Sequence, residues 1–140
     1  MKPVRILLVE DNEGDILLTC EALKEAKISN EISVARDGEE ALAALTGTTS
    51  LPDLILLDIN LPKMNGLELL VNIRADDYLK SIPVIMLTTS TAERDIMDSY
   101  ANHANCFISK PVDLIRFMDV VKTIEDFWIS LVKLPKTNLA

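Results

Sequence analysis

Histidine and cysteine are nearly absent from this chain. His103 stands alone with no partner motif and reads as a surface helix residue. Cys20 and Cys106 lie far apart without CxxC spacing, which excludes a close-set zinc or dithiol motif; they read as reduced, buried filler. No apolar stretch is long enough to cross a bilayer, so no membrane association is expected. The start, Met1-Lys-Pro-Val-Arg5, lacks the small-residue cleavage site of a signal peptide, and a cytoplasmic setting is expected. A GxxxxGK[ST] loop is missing, which excludes ATP binding by a P-loop. There is no low-complexity segment, internal repeat or interdomain linker. Positive charge is scarce, 14 Lys and Arg against 22 Asp and Glu, for a net charge of −8. That balance argues against a nucleic-acid partner, and suits a divalent cation site or a basic partner surface.

What is present is enough apolar residue for one domain: 49% hydrophobic and 26% charged over 140 residues. The stretch from Asp53 to Gly66 organises the rest. Leu54 to Leu57 is an apolar run of buried-strand length that ends on a carboxylate, Asp58. Pro62 and Asn65-Gly66 then force a turn, and Asn65 with Glu68 forms a capping box that opens a helix over Leu67 to Arg74. Other strands are expected at Val4 to Val9, Ile32 to Ala35, Pro83 to Thr88 and Cys106 to Ser109. Between them, the spacing predicts helices over Gly14 to Ala26, with a stripe of Ile16, Leu17, Cys20, Leu23 and Ala26, and over Glu40 to Leu45 behind an Asp37 cap. Further helices are expected from the Ser90–Glu93 capping box to about Ala101, and from about Asp113 onward. Strands alternating with helices imply a parallel sheet, and the near-continuous apolar runs fit strands buried on both faces. The expected fold is α/β, a flavodoxin-like doubly wound (βα)5 sheet of order 2-1-3-4-5.

In such a sheet the carboxyl ends of the strands share one edge. That brings Glu10 and Asp11, Asp58, Thr88 and Thr89, and Lys110 toward one crevice. An aspartate at a strand end can also simply cap a turn. Clustered carboxylates, however, raise one another's pKa unless a cation intervenes, and a hard oxygen-ligated ion such as Mg²⁺ answers that need. A carboxylate flanked by Mg²⁺ and Lys110 is suited to act as a nucleophile toward a phosphoryl group.

Four pieces, Leu7-Leu-Val-Glu-Asp-Asn12, Leu56-Leu-Asp-Ile-Asn-Leu-Pro-Lys-Met-Asn-Gly66, Leu87-Thr-Thr89 and Phe107-Ile-Ser-Lys-Pro111, together resemble the receiver domain of two-component response regulators, over about residues 4–126. The resemblance implies that Asp58 accepts the phosphoryl group and that Glu10, Asp11 and Asp58, with the Asn60 carbonyl, hold Mg²⁺. It implies that Thr88 is the switch hydroxyl, that Lys110 contacts phosphate ahead of a cis bond to Pro111, and that Phe107 is the switch aromatic. Phe107 as fixed core packing is the competing reading. Glu10 departs from the family, where many members carry Asp. With one histidine in the chain, the phosphoryl donor must come from a sensor histidine kinase.

Residues 1–126 are therefore expected to form the receiver, with 127–140 extending the last helix. The apolar stripe Leu114, Phe117, Met118, Val121, Ile124 runs on through Phe127-Trp128 and Leu131. This ending, with Glu125-Asp-Phe-Trp128, resembles the small single-domain regulators of bacterial phytochrome-type kinases. It is expected either to fold back on its own domain or to form a kinase or homodimer contact. The leading function is a stand-alone receiver that signals through a surface change at its fourth and fifth helices, with no metabolic substrate. Its rivals are a phosphorylation-independent interaction module with the same fold and an FMN carrier, the latter opposed by Glu10, Asp11 and Glu13 where a phosphate would sit.

Overall fold

The strand that ends on Asp58 is the centre of the sheet. In the computed structural model, which describes residues 3–25, 29–47, 50–88, 106–110, 112 and 115–116 (Thr88 and Cys106 by backbone alone), every residue of β3 (Leu54–Asp58) is buried. β1 (Val4–Val9) and β4 (Val84–Thr88) flank it; β2 (Asn30–Ala35) pairs outside β1 and β5 (Cys106–Ser109) outside β4. All four pairings are parallel, and the order β2-β1-β3-β4-β5 is the one expected.

The alternation of β3 builds two cores. Leu54 and Leu56 face α1 (Glu13–Lys24), packing with Ile6, Leu8, Ile85, Leu87 and Ile108 against Ile16 and Leu23. Ile55 and Leu57 face the other way, with Leu7, Val9, Val84 and Met86, under α2 (Gly38–Thr46) and α3 (Gly66–Ala75). Because both faces are covered, a continuous apolar run rather than an alternating one is stable here, at roughly 1.5–3 kcal/mol for each large side chain buried.

Each of α1, α2 and α3 begins at the carboxyl edge with a side-chain cap. Asn12, Asp37 and Asn65 accept hydrogen bonds from the backbone N–H groups of Asp15, Glu40 and Glu68, and Glu68 reaches back to the Asn65 N–H to complete the expected capping box. These caps fix where the chain turns after β1, β2 and β3.

Two expectations need correction. β2 starts at Asn30 rather than Ile32, since Asn30 and Glu31 pair with Val4 and Arg5; among the described residues no strand covers its outer side, so polar residues continue it where the apolar pattern stops. On α1, Leu17 faces solvent at 62% exposure and Thr19 is buried at 1%. At 100° per residue, positions 16, 19 and 23 share a face and 17 turns away from it. The helix expected from Ser90, all of that expected from Asp113 except the helical Ile115 and Arg116, the Lys110–Pro111 bond, Thr89, His103 and the 127–140 extension lie outside the described residues. Among the described residues no helix is long and apolar enough to cross a membrane.

Candidate functional site

Four of the residues expected at one edge come together there: Glu10, Asp11, Asp58 and Lys110. Glu10 follows β1 and donates its backbone N–H to Ala35 O at 2.9 Å, extending the ladder to β2 by one bond. Its side chain is fully buried, with Oε2 accepting the Asn12 N–H at 3.3 Å and Oε1 accepting from Lys110 Nζ at 3.0 Å. Asp11, next in the chain, is exposed. Asp58 closes β3 at 2% exposure. One oxygen from each of Glu10, Asp11 and Asp58 lies within 4.8 Å of the others.

The turn after Asp58 depends on a missing side chain. Gly66 opens α3 against the end of β3 and donates its N–H to Ile59 O at 2.9 Å. A Cβ on Gly66 would stand 2.2 Å from Asp58 O and 2.8 Å from Ile59 Cα, both backbone atoms with little room to give. Glycine is thus required by close approach, which lets the loop fold over and α3 start beside the carboxylate. Within that loop Lys63 adopts a φ of 64° and places its ammonium 3.7 Å from Asp37 Oδ2, tying the loop to the start of α2.

Lys110 is the one cation at this cluster among the described residues. Its side chain is 8% exposed, and Nζ lies 2.9 Å from Asp15 Oδ2, 3.0 Å from Glu10 Oε1 and 3.3 Å from Asp58 Oδ1. The contact to Asp58 is an ion pair without hydrogen-bond geometry, so Asp58 Oδ1 is buried with no hydrogen-bond partner among the described residues. Burial, and then the Glu10 carboxylate beside it, push the Asp58 carboxyl from an ordinary 3.8 up to about 7, against the pull of Lys110. For Lys110, burial alone would lower the pKa; hydrogen bonds to Asp15 and Glu10 and the Asp58 charge outweigh it and raise it.

One ammonium among four carboxylates leaves excess negative charge at a site made only of oxygen donors. That donor set, with a buried carboxylate oxygen lacking a hydrogen bond, fits a hard divalent cation.

The remaining expected residues are placed less completely. Asn60 is exposed in the loop after Asp58. Thr88 ends β4 opposite Ser109, on the same edge. Phe107 is half-buried, packed against the core under α2 and α3. The residue that sequence reasoning missed is Asp15, the nearest partner of Lys110. Its position in the first turn of α1, four residues after Asp11, was the available sign.

Comparison with known proteins agrees with this edge and this fold. The response regulator receiver domain model matches residues 6–122. Response regulator Rcp1 of Synechocystis sp. is 44% identical over 138 residues, covering 95% of this chain and 94% of its own; its Mn²⁺-bound form superposes with a TM-score of 0.72, covering 93% and 97% of the two chains at 43% identity. The bacteriophytochrome response regulator AtBRR superposes with a TM-score of 0.81 at 42% identity, over 87% of this chain and 92% of its own. The phosphorylated cyanobacterial phytochrome response regulator RcpA gives 0.73 at 47% identity, over 92% and 96%. With most of its length matched by the family model and nearly all of it by a relative of the same size, the chain belongs to the response regulator receiver domain family.

Proposed function

We propose that this receiver takes a phosphoryl group onto Asp58 from a phosphohistidine of a sensor kinase and passes the signal on by protein–protein contact. The observation that carries the reading is the meeting of Glu10, Asp11 and Asp58 oxygens within 4.8 Å, with Lys110 3.3 Å from Asp58. An Asp58 carboxylate oxygen forms a bond to phosphorus as the P–N bond of the donor breaks. The imidazole nitrogen keeps that bond pair and takes a proton from water. Glu10, Asp11, Asp58 and the Asn60 carbonyl would hold Mg²⁺, which would supply positive charge to offset the phosphoryl oxygens. Lys110 supplies a second positive charge at the same oxygens. Thr88 then hydrogen-bonds the phosphoryl group, and Phe107 follows into the space it leaves.

Likeness to Rcp1, AtBRR and RcpA supports a kinase of the phytochrome type as the partner and the cytoplasm as the setting. The complete acid, aspartate and lysine set speaks against a phosphorylation-independent module. Residues 1–126 act as the receiver; residues 127–140, rich in apolar side chains near Phe127 and Trp128, form a contact between two copies. Sedimentation of the full chain, with and without phosphorylation, tests that pairing: a monomer in both states removes it.

The transfer itself is tested by intact mass after incubation with Mg²⁺ and acetyl phosphate. The parent gains one phosphoryl group and Asp58→Asn gains none. An unmodified parent, or an equally modified variant, overturns the assignment.

A further inference from the structure

Lys110 has three carboxylate partners, and the proposed transfer needs it at only one of them. The shortest contact is to Asp15, at 2.9 Å, and the longest is to Asp58, at 3.3 Å. Between them stands Glu10, at 3.0 Å. Glu10 is claimed twice: its Oε1 accepts from the ammonium, while the same carboxylate belongs to the three-acid cluster that fits a divalent cation. An ammonium and a divalent cation on one carboxylate repel each other, so a cation at Glu10 favours a shift of Lys110 toward its other partners. With its side chain only 8% exposed, the ammonium moves off one carboxylate at least cost toward another. Asp15 is that other carboxylate. It sits in the first turn of α1, its backbone N–H held by Asn12 Oδ1 at 2.9 Å, so its place is set by the helix cap and not by the site. Its carboxylate is 28% exposed and has Lys110 as its partner there.

We infer that Asp15 is a positioning residue: it shares the Lys110 ammonium with Glu10 and Asp58, which weakens the ammonium's hold on the cation's oxygens and on the acceptor until a phosphoryl group arrives. This rests on the reading of Asp58 as the phosphoryl acceptor. Two opposite effects follow from removing the Asp15 charge. Lys110, released, competes harder for Glu10 and Asp58, so cation binding weakens. At saturating cation the same ammonium is free to meet the phosphoryl oxygens, so transfer quickens. A residue that only supported the start of α1 would move neither.

The test uses the full chain as parent, Asp15→Asn and Asp15→Glu. Mg²⁺ affinity is measured by titration calorimetry, and phosphorylation by acetyl phosphate at saturating Mg²⁺ is followed by intact mass. Asp15→Asn is expected to weaken Mg²⁺ binding about fivefold and to speed phosphorylation about threefold, the scale of one charge removed from a partly screened site. Asp15→Glu, which keeps the charge, returns both toward the parent. In a Lys110→Met background, Asp15→Asn no longer speeds transfer, because its effect passes through the ammonium. A phosphorylated parent with an indistinguishable Asp15→Asn overturns the positioning role alone. So does an equal rate gain with and without Lys110. A parent that takes no phosphoryl group overturns the acceptor reading, and this inference with it.

Discussion

Asp53 and Asp58 stand at opposite ends of one strand and meet opposite treatment. Asp53, just before β3, accepts the Arg5 N–H on Oδ2 at 2.9 Å and donates its own N–H to Arg5 O at 2.7 Å. The Arg5 guanidinium goes on to Ser50 O at 2.6 Å. At that end the Asp53 carboxylate and the Arg5 guanidinium each have a backbone partner. Asp58, at the other end, is buried against a second carboxylate with one oxygen lacking a hydrogen bond among the described residues. The same residue type thus secures the strand at its entry and strains it at its exit. Strain of that kind is retained where a ligand or a reaction relieves it.

The largest expected effect separates the two directly. Asp58→Asn abolishes phosphoryl transfer while raising the melting temperature of the metal-free protein, because it removes a buried ionisable group and leaves Lys110 bound to Glu10 and Asp15. Asp53→Asn leaves transfer untouched. A metal-free Asp58→Asn that melts below the parent would show that Asp58 stabilises the fold as Asp53 does, and the contrast would collapse.

The pH dependence sharpens the contrast. Asp58 is raised from 3.8 to about 7 in the folded protein, so between those values the folded state binds more protons than the unfolded one. Stability of the metal-free protein therefore falls as pH rises from about 4 to about 7, by at most about 4 kcal/mol for a displacement of this size. Lys110, its pKa raised, keeps its proton throughout and adds no slope. Thermal melts across this range, without metal, are expected to show the decline in the parent and to lose it in Asp58→Asn. Added Mg²⁺ reverses the slope, since it binds the ionised carboxylates of the folded state alone. A parent whose melting temperature climbs from pH 4 to 7 without metal would contradict the environment described for Asp58.

Much of this was legible in the chain. The strands of β1, β3 and β4 were visible because both faces of a parallel sheet are covered, which leaves near-continuous apolar runs ending abruptly on Glu10, Asp58 and Thr88. The caps at Asp37 and Asn65 were visible because capping is local, decided within four residues. What escaped was long-range. Lys110 meets Asp15 across 95 residues of sequence and across the ends of β3 and β4, and no periodicity reports such a pairing. The face of α1 was misjudged at Leu17 and Thr19 because several apolar residues compete for the inner stripe, and only the packing decides which turn in. At β2 the pattern failed for the opposite reason: a strand with an uncovered side tolerates Asn30 and Glu31.

Gly66→Ala tests the geometry that puts Asp58 where it is. The added methyl would stand 2.2 Å from Asp58 O, so the start of α3 must move. The cost is expected at about 1–3 kcal/mol, the range for overpacking a close-fitted contact. Mg²⁺ affinity should fall with it, because the backbone that shifts carries one of the cluster's three carboxylates. Denaturant unfolding gives the first quantity and calorimetry the second. A destabilised variant with parental Mg²⁺ affinity would mean that the α3 junction and the site are independent.

The smallest effect is expected at the Asp53 end. Asp53→Ala removes the acceptor for the Arg5 N–H but leaves the Asp53 N–H to Arg5 O bond and the guanidinium bond to Ser50 O, both made by other atoms. One neutral backbone donor, half-buried near the sheet end, then loses its partner, which costs about 1 kcal/mol. β1 and β3 run between this end and the carboxylate cluster, and Leu54 to Leu57 remain fully buried. Mg²⁺ affinity and the rate of phosphorylation should therefore match the parent within error, while the urea midpoint drops. Combined with Asp58→Asn, the two changes in stability should add with opposite signs, as expected for separated groups without shared partners. A double variant that departs from the sum by more than about 0.5 kcal/mol would show that the strand couples its two ends, and that the satisfied aspartate helps to hold the strained one in place.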